Sequence, residues 1–479
     1  MLKRIEDVRV FIKNNKTYSF VIFFCLLYIF AFSLVALNRY WQYEVFYYDF
    51  GIFDKAIWSV SRFKPPIIEH FILGGKWIFA DHFNPSIFLL SPLYWLTKSS
   101  EIILVAQVVA VGISGLLLFK IGVITTKNNI FSLGVTLSYL LFIGIQNALI
   151  SDFHEVTVST AAFAACILAI LLNKRYLYFL LLSITLGFKE SNFLACGALG
   201  MALMLLDKNY RKIGFISSVI SLLWGVLAIK FIIPAFSQGV YIYDTPLPTN
   251  LISFVGSFIN NPIKIKTILI SFLSFGFLPI FSPSFYLVII ADFATRFYPP
   301  FLTLSWGLGL HYSAMTGIIL AVSSIFSHRY LKKYIPEKVF SAYGILLIFS
   351  SLFLHRFMLH GPLGLATNKA FYEHTKNFKF LDNLLDKIPP DKTVMTQNNL
   401  ASHLTHQNVR LLRDKCKPCR EEHYRSVMPD YIVIDNRDGQ NPNNFYGVSN
   451  LEVILKNLQK DKDYKQYYSN GDQYIYKRI

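Results

Sequence analysis

Two carboxylates, Asp49 and Asp54, stand just after the first long apolar run, in the stretch Tyr47-Tyr48-Asp49-Phe50-Gly51-Ile52-Phe53-Asp54-Lys55-Ala56-Ile57-Trp58. An acid where a chain leaves a membrane can act as general base on a substrate hydroxyl within hydrogen-bond reach. Aspartate is also a favoured helix cap, and capping is compatible with catalysis. Asp54 falls five positions later, about 140° round a helix, so the two acids would not share a face. Asp49 is the favoured base of the pair.

Three further segments carry charge next to apolar runs. Asp81-His82-Phe83-Asn84-Pro85 reads either as a turn, with Asp81 bonding the local backbone, or as part of a phosphate or metal site. Asp152-Phe153-His154-Glu155 opens an apolar run, where acids suit a helix dipole; it could equally place a carboxylate–imidazole group in a cavity. Phe188-Lys189-Glu190-Ser191 reads as a self-neutralising pair in a tight turn, or as a lysine placed for a lipid phosphate. Arg296 and His311 complete the set. Charged groups in apolar surroundings are functional candidates. No cofactor is implied with certainty. A divalent metal is an open alternative, although the spacing matches no specific metal motif.

These residues must be positioned by a membrane bundle. Hydrophobic residues make up 54% of the 479, charged residues 16%, and the mean hydropathy is +0.43. Soluble chains carry roughly 25% charged residues. The net charge of +17 is explained by Lys and Arg in loops, following the positive-inside bias, and no basic patch is left over to argue for nucleic acid. The run at 19–37 follows Lys3, Arg4, Arg9, Lys13 and Lys16. It is too long for a signal-peptide core and reads as a retained first helix with a cytoplasmic N-terminus.

Ten more apolar runs follow, at 101–123, 129–148, 156–172, 176–188, 191–206, 212–232, 266–281, 284–297, 312–327 and 338–357. Alternation places Lys120 and Lys127, residues 173–175, 208–212 and 328–333 inside, which supports about eleven transmembrane helices. All eleven chemistry-bearing residues named above then lie at the outer ends. The loop 38–100, with Trp41, Trp58, Trp77 and Trp95, suits a segment at the membrane interface, with Phe50, Phe53, Ile57 and Val60 giving a juxtamembrane helix one apolar face. Pro279 and Pro283 break the pair at 266–297, as happens where backbone faces protein or a water-filled cavity.

From about 361 the composition turns polar. Strand patterns at 393–395, 431–435 and 474–476 alternate with helical ones near 400–404 and 448–458, which predicts a small α/β domain. The division is therefore a transmembrane domain, 1–360, and an extracytoplasmic α/β domain, 361–479. Cys25, Cys166 and Cys196 lie in apolar runs as small buried groups. Cys416-Lys417-Pro418-Cys419 is a lone CxxC; zinc would need a second pair, and a local disulfide is the plainer reading. His403 and His406 read as surface or packing residues rather than ligands.

At these residues the sequence resembles a family of prokaryotic polytopic membrane proteins, defined as a domain of unknown function and grouped with the GT-C glycosyltransferases. The likeness is carried by 48–54, Asp81-His82-Phe83-Asn84-Pro85, Asp152-Phe153-His154 and Phe188-Lys189-Glu190. It extends through His311-Tyr312-Ser313-Ala314, 397–403 and 430–435, and covers nearly the whole chain. The resemblance implies a GT-C-like bundle and transfer of a sugar from a polyprenyl-phosphate carrier to a glycan, lipid or protein acceptor. By position, Asp49 matches the family's acidic residue. The Asp-x-x-x-x-Asp spacing departs from the adjacent acidic pair of many GT-C members. The leading expectation is thus a plasma-membrane glycosyltransferase acting at the outer face by a single inverting displacement. A transporter or flippase of a lipid-linked or anionic solute is the alternative, although no internal repeat is evident. A non-catalytic scaffold is the third.

Overall fold

The computed structural model describes residues 16–69, 76–239, 241–245, 248–413, 423–445, 448 and 450–479. The Cys416–Cys419 pair and the basic residues Lys3 to Lys13 lie outside these. Each of the eleven apolar runs carries a helix. We label these α1 Lys16–Trp41, α3 Glu101–Thr126, α4 Asn129–Leu141 with α5 Ile143–Ile150, α6 Glu155–Leu171 and α7 Arg175–Leu186. They continue as α8 Asn192–Leu206, α9 Arg211–Leu227, α10 Pro262–Ser274, α11 Tyr286–Phe297, α12 Ala314–Leu331 and α13 Glu337–Phe353. The juxtamembrane helix α2, Ile52–Ser61, lies between α1 and α3.

Among the described residues, four helical stretches are long and apolar enough to cross a bilayer: Lys16–Trp41, Glu101–Thr126, Lys208–Phe236 and Glu337–Met358. A fifth is the α4–α5 pair, bent by 41°. The other six helices run 12 to 18 residues. Several are short because the chain leaves helical geometry before the bundle's polar end, where Asp152–His154 and Phe188–Ser191 must be held as turns. Such backbone survives at membrane depth only where protein or cavity water satisfies it. The expected break at Pro279 and Pro283 is present: α10 ends at Ser274 and two 3-10 turns precede α11.

Packing sorts the faces of each helix. On α1, Val21, Cys25, Tyr28, Phe32 and Val35 are buried, a stripe stepping three and four residues. Phe23, Leu26, Leu27 and Phe30 point outward, as befits a helix apolar on all sides in lipid. α3 is central and contacts α1, α4, α6 and α12. Close approach uses small residues. A methyl group on Gly134 of α4 would lie 2.5 Å from the Gly344 carbonyl oxygen of α13, so those backbones touch.

The C-terminal unit is a five-stranded sheet in the order β2-β1-β3-β5-β4. Strands β1 Val394–Thr396, β2 Val409–Leu411 and β3 Tyr431–Asp435 are parallel; β5 Gln473–Arg478 pairs antiparallel with β3 and with β4 Tyr464–Asn470. One amphipathic helix, α14 Leu451–Lys460, buries Leu451, Ile454, Leu455 and Leu458 against it. This is the expected α/β unit, with two strands added. The sheet unit docks on the 42–100 loop. Tyr48 N donates to Asn398 Oδ1 at 2.9 Å, and Lys55 Nζ to the Gln407 carbonyl at 2.9 Å. His403 is sandwiched between the rings of Tyr40 and Tyr43, at 4.0 and 3.9 Å. The packing role expected for His403 is therefore met.

Candidate active site

Asp49 sits in a five-residue π-helical turn, Tyr47–Gly51, that feeds directly into α2. A β-carbon on Gly51 would strike the Tyr47 ring at 2.3 Å, so a residue without a side chain is required for the turn to close. The Asp49 carboxylate caps neither the turn nor α2, which removes the capping explanation. Its side chain is 52% exposed and faces His154, with Oδ1 3.8 Å from Nε2. Desolvation pushes its pKa up, but His154, Lys189 and His82 outweigh this, and the carboxyl lies below its ordinary range.

The segment 152–155 is clamped from α3. Gln107 donates to the Asp152 carbonyl at 2.9 Å and accepts from the His154 amide at 2.7 Å. Asp152 takes a left-handed backbone conformation, φ 58°, and its carboxylate accepts from the Phe46 amide at 3.2 Å. Desolvation, then the charge of Asp49, drive the Asp152 carboxyl well above the usual range. The clamp aims His154 across the cluster, where its ring lies against that of His311. Desolvation, followed by repulsion from His154 and Lys189, lowers the His311 pKa well below that of a free imidazole.

Glu155 is fully buried and pairs with Lys189 Nζ at 2.9 Å. Desolvation alone would lower the Lys189 pKa; Glu155 and Glu190 reverse the sign and raise it. Glu190 in turn binds His82 Nδ1 at 2.8 Å through Oε1, and accepts from the Phe83 amide at 3.2 Å through Oε2. That pairing, against the desolvation of both groups, raises the His82 pKa and lowers that of Glu190. The self-neutralising Lys189–Glu190 pair considered from sequence is thus replaced by two longer-range pairs.

Several partners were not evident from sequence. Tyr241 donates to Glu190 at 3.0 Å and Tyr243 to Asp81 at 3.1 Å, from the segment that follows α9. Tyr243 also stacks on His82, centroids 4.8 Å apart. Only their position next to an apolar run could have pointed to them. Gln107 did carry a signal, as a lone amide in the run 101–123. Asn84 is wholly buried, and neither polar atom of its side chain has a partner. The same holds for His154 Nδ1. Orphan buried polar atoms are costly unless something else satisfies them.

Two expected site residues point elsewhere. Asp54 is fully buried and accepts from Tyr94 and Thr405, with His406 Nε2 3.1 Å away. His406 itself stacks on Trp58 at 3.9 Å. This carboxylate ties α2 to the sheet unit. Arg296 of α11 spends its guanidinium on the Ser305 and Gly307 carbonyls and the Thr316 hydroxyl, at 2.8 to 2.9 Å. It clamps the 298–313 segment that presents His311. Asp49, Asp81, His82, Asp152, His154, Glu155, Lys189, Glu190 and His311 are brought together at one end of the bundle. Among the described residues no three His, Cys, Asp or Glu side chains are grouped as a cation site.

The comparisons with known proteins agree with this architecture. The crystal structure of ArnT from Cupriavidus metallidurans bound to undecaprenyl phosphate superposes with a TM-score of 0.53 at 10% identity, covering 96% of this chain and 98% of ArnT. At that identity the likeness is one of fold. No curated protein matches the sequence. A family model described as "Predicted membrane protein (DUF2079)" matches residues 39–473. From the end of α1 to the first residue of β5, the chain is a member of this DUF2079 family of membrane proteins.

Proposed function

We propose that this protein is a membrane glycosyltransferase that moves a sugar from a polyprenyl-phosphate carrier to an acceptor at the outer face of the plasma membrane. One observation carries the reading. Asp49 is the open acid of the cluster, whereas Glu155 and Glu190 are buried and committed to Lys189 and His82. Its side chain is half exposed and its pKa lies below the ordinary range, so it is ionised at neutral pH and open to take a proton from a hydroxyl within hydrogen-bond reach. The shared fold with a protein solved in complex with undecaprenyl phosphate supports the carrier class.

In this reading the acceptor hydroxyl gives its proton to Asp49. Its oxygen attacks the anomeric carbon, the bond from that carbon to the phosphate oxygen breaks, and the polyprenyl phosphate leaves with the electron pair. Attack opposite the leaving group inverts the centre in one step. Lys189 and His82, held cationic by their buried carboxylates, stabilise the charge growing on the phosphate, the electrostatic role such sites need. Asp54 and Arg296 position the loops that carry the site. The chain spans the membrane with its N-terminus in the cytoplasm and residues 361–479 outside.

The test is label transfer in membranes from cells expressing wild type or Asp49→Asn, supplied with radiolabelled polyprenyl-phosphate sugars and an acceptor pool. Transfer by wild type and its loss in an equally folded variant is expected. Equal transfer by both would remove Asp49 from the chemistry. Uptake of a labelled solute without transfer would instead place the chain among transporters.

A further inference from the structure

A pair of cavities adjoins Ile150, two residues before the 152–155 segment, beside the exposed apolar face of α13. Helix α13 passes into a π-helical turn, Leu354–Met358, at the bundle end that also carries the cluster. A cavity of about 320 Å³ there is lined by Arg356, His360, Asn368 and Ile150, among others. A second, of about 630 Å³, adjoins it through His355 and Arg356 and is walled by Phe349, Leu352, Phe353 and Phe357. The two halves differ in chemistry. One is lined mainly by apolar groups but carries a guanidinium and imidazoles at its rim; the other is an apolar trough along the end of α13, whose phenylalanines are more than half exposed.

The mouth is built rather than incidental. His355 Nε2 is bonded to Gln146 Oε1 at 3.0 Å, and the same oxygen accepts from the Leu363 amide at 3.1 Å. The chain turns at His360 with φ 48°. It then runs so close to His355 that a β-carbon on Gly361 would lie 2.2 Å from that ring. These contacts fix the rim on α5 and leave Arg356 exposed at the mouth.

We propose that this groove binds an anionic phospholipid of the surrounding bilayer, its phosphate on Arg356 and His360 and one acyl chain along Phe349, Phe353 and Phe357. Charge complementarity selects the headgroup: Arg356 pairs with a phosphate through two parallel N–H bonds, and its exposed positive charge disfavours a headgroup that brings its own fixed cation. The apolar trough selects an acyl chain over a soluble phosphate. A bilayer lipid is favoured over the sugar carrier because none of the lining residues belongs to the Asp49 cluster, so a phosphate held here is not delivered to Lys189 or His82. Ile150 of the rim is four residues before His154, and Gln146 is on the same helix. An occupied groove therefore braces the segment that aims His154.

The test uses the full-length protein in detergent, titrated with phosphatidylglycerol, phosphatidylcholine or undecaprenyl phosphate, with bound lipid counted by native mass spectrometry and the thermal midpoint recorded. Phosphatidylglycerol is expected to be retained at one copy and to raise the midpoint, while phosphatidylcholine does neither. The double variant Arg356→Gln, His360→Gln should lose at least ten-fold in lipid retention with its lipid-free midpoint unchanged, because Arg356 and His360 are both exposed. Arg356→Lys with His360 intact keeps the charge but not the paired N–H bonds, and should bind between wild type and the double variant. Equal retention of phosphatidylcholine, undiminished retention in the double variant, or retention of undecaprenyl phosphate alone would each overturn the proposal.

Discussion

The imidazole rings of His154 and His311 lie face to face, with centroids 3.3 Å apart and planes 16° from parallel. One belongs to the N-terminal end of α6 and the other to the turn before α12. Two cations cannot be stacked at this distance in a buried site without a large Coulomb penalty. The two rings therefore do not both carry a charge; burial and the neighbouring cations hold the His311 pKa well below that of a free imidazole, while Asp49 Oδ1 lies 3.8 Å from His154 Nε2. The carboxylate is thereby kept ionised and aimed.

Replacing Asp49 by Asn removes the base but not the fold. Sugar transfer is expected to fall by about 100- to 10,000-fold, the range for loss of a general base. The thermal midpoint should stay near that of wild type, since the side chain is half exposed and caps no helix. Rate and midpoint measured on the same preparation check this.

Lys189 and Glu155 should behave as a buried pair. Lys189→Met leaves an uncompensated carboxylate in the bundle and is expected to destabilise by about 3–5 kcal/mol. Adding Glu155→Gln should recover a large part of that loss in stability but none of the transfer. A double-mutant cycle, followed by unfolding and by activity, separates the two effects.

His82 and Glu190 give a pH dependence with two limbs. The raised pKa of His82 means that its stabilisation is fully present below its ordinary value of 6.5 and is lost as pH rises through the folded value. The lowered pKa of Glu190 means that its share is present above 4.5 and is lost as pH falls through the folded value. The thermal midpoint should therefore decline at both ends of this window. In His82→Gln the alkaline decline should disappear, which a midpoint series across pH would register.

Asp54→Ala should act on the fold before the chemistry. It leaves Tyr94, Thr405 and His406 without their shared acceptor in a buried setting, at about 1–3 kcal/mol for each group left unsatisfied. Limited proteolysis of the 361–479 region should become faster. A variant that keeps wild-type proteolysis but loses transfer would show that Asp54 acts in the reaction after all.

Sequence was enough to identify the class of protein, the approximate place of the apolar helices and the charged segments that gather at one end of the bundle. It could do so because twenty apolar residues in a row have few uses besides a membrane, and because charges beside such runs are expensive and stand out. Asp49, Asp81-His82, 152–155, 189–190 and His311 were legible for that reason. Strand β4 was not: its burial is mostly on one residue, Tyr464, so it lacks the alternation that marks a half-buried strand. Tertiary structure alone decided the partners. Lys189 and Glu190 are neighbours in the chain, yet they turn to Glu155 and His82. Asp54 resembles Asp49 in type and setting, yet its place five positions further on sends it to Thr405 and His406. Pairing in a low-dielectric interior follows which helices pack together, and a residue's neighbours in sequence say little about which opposite charge will reach it first.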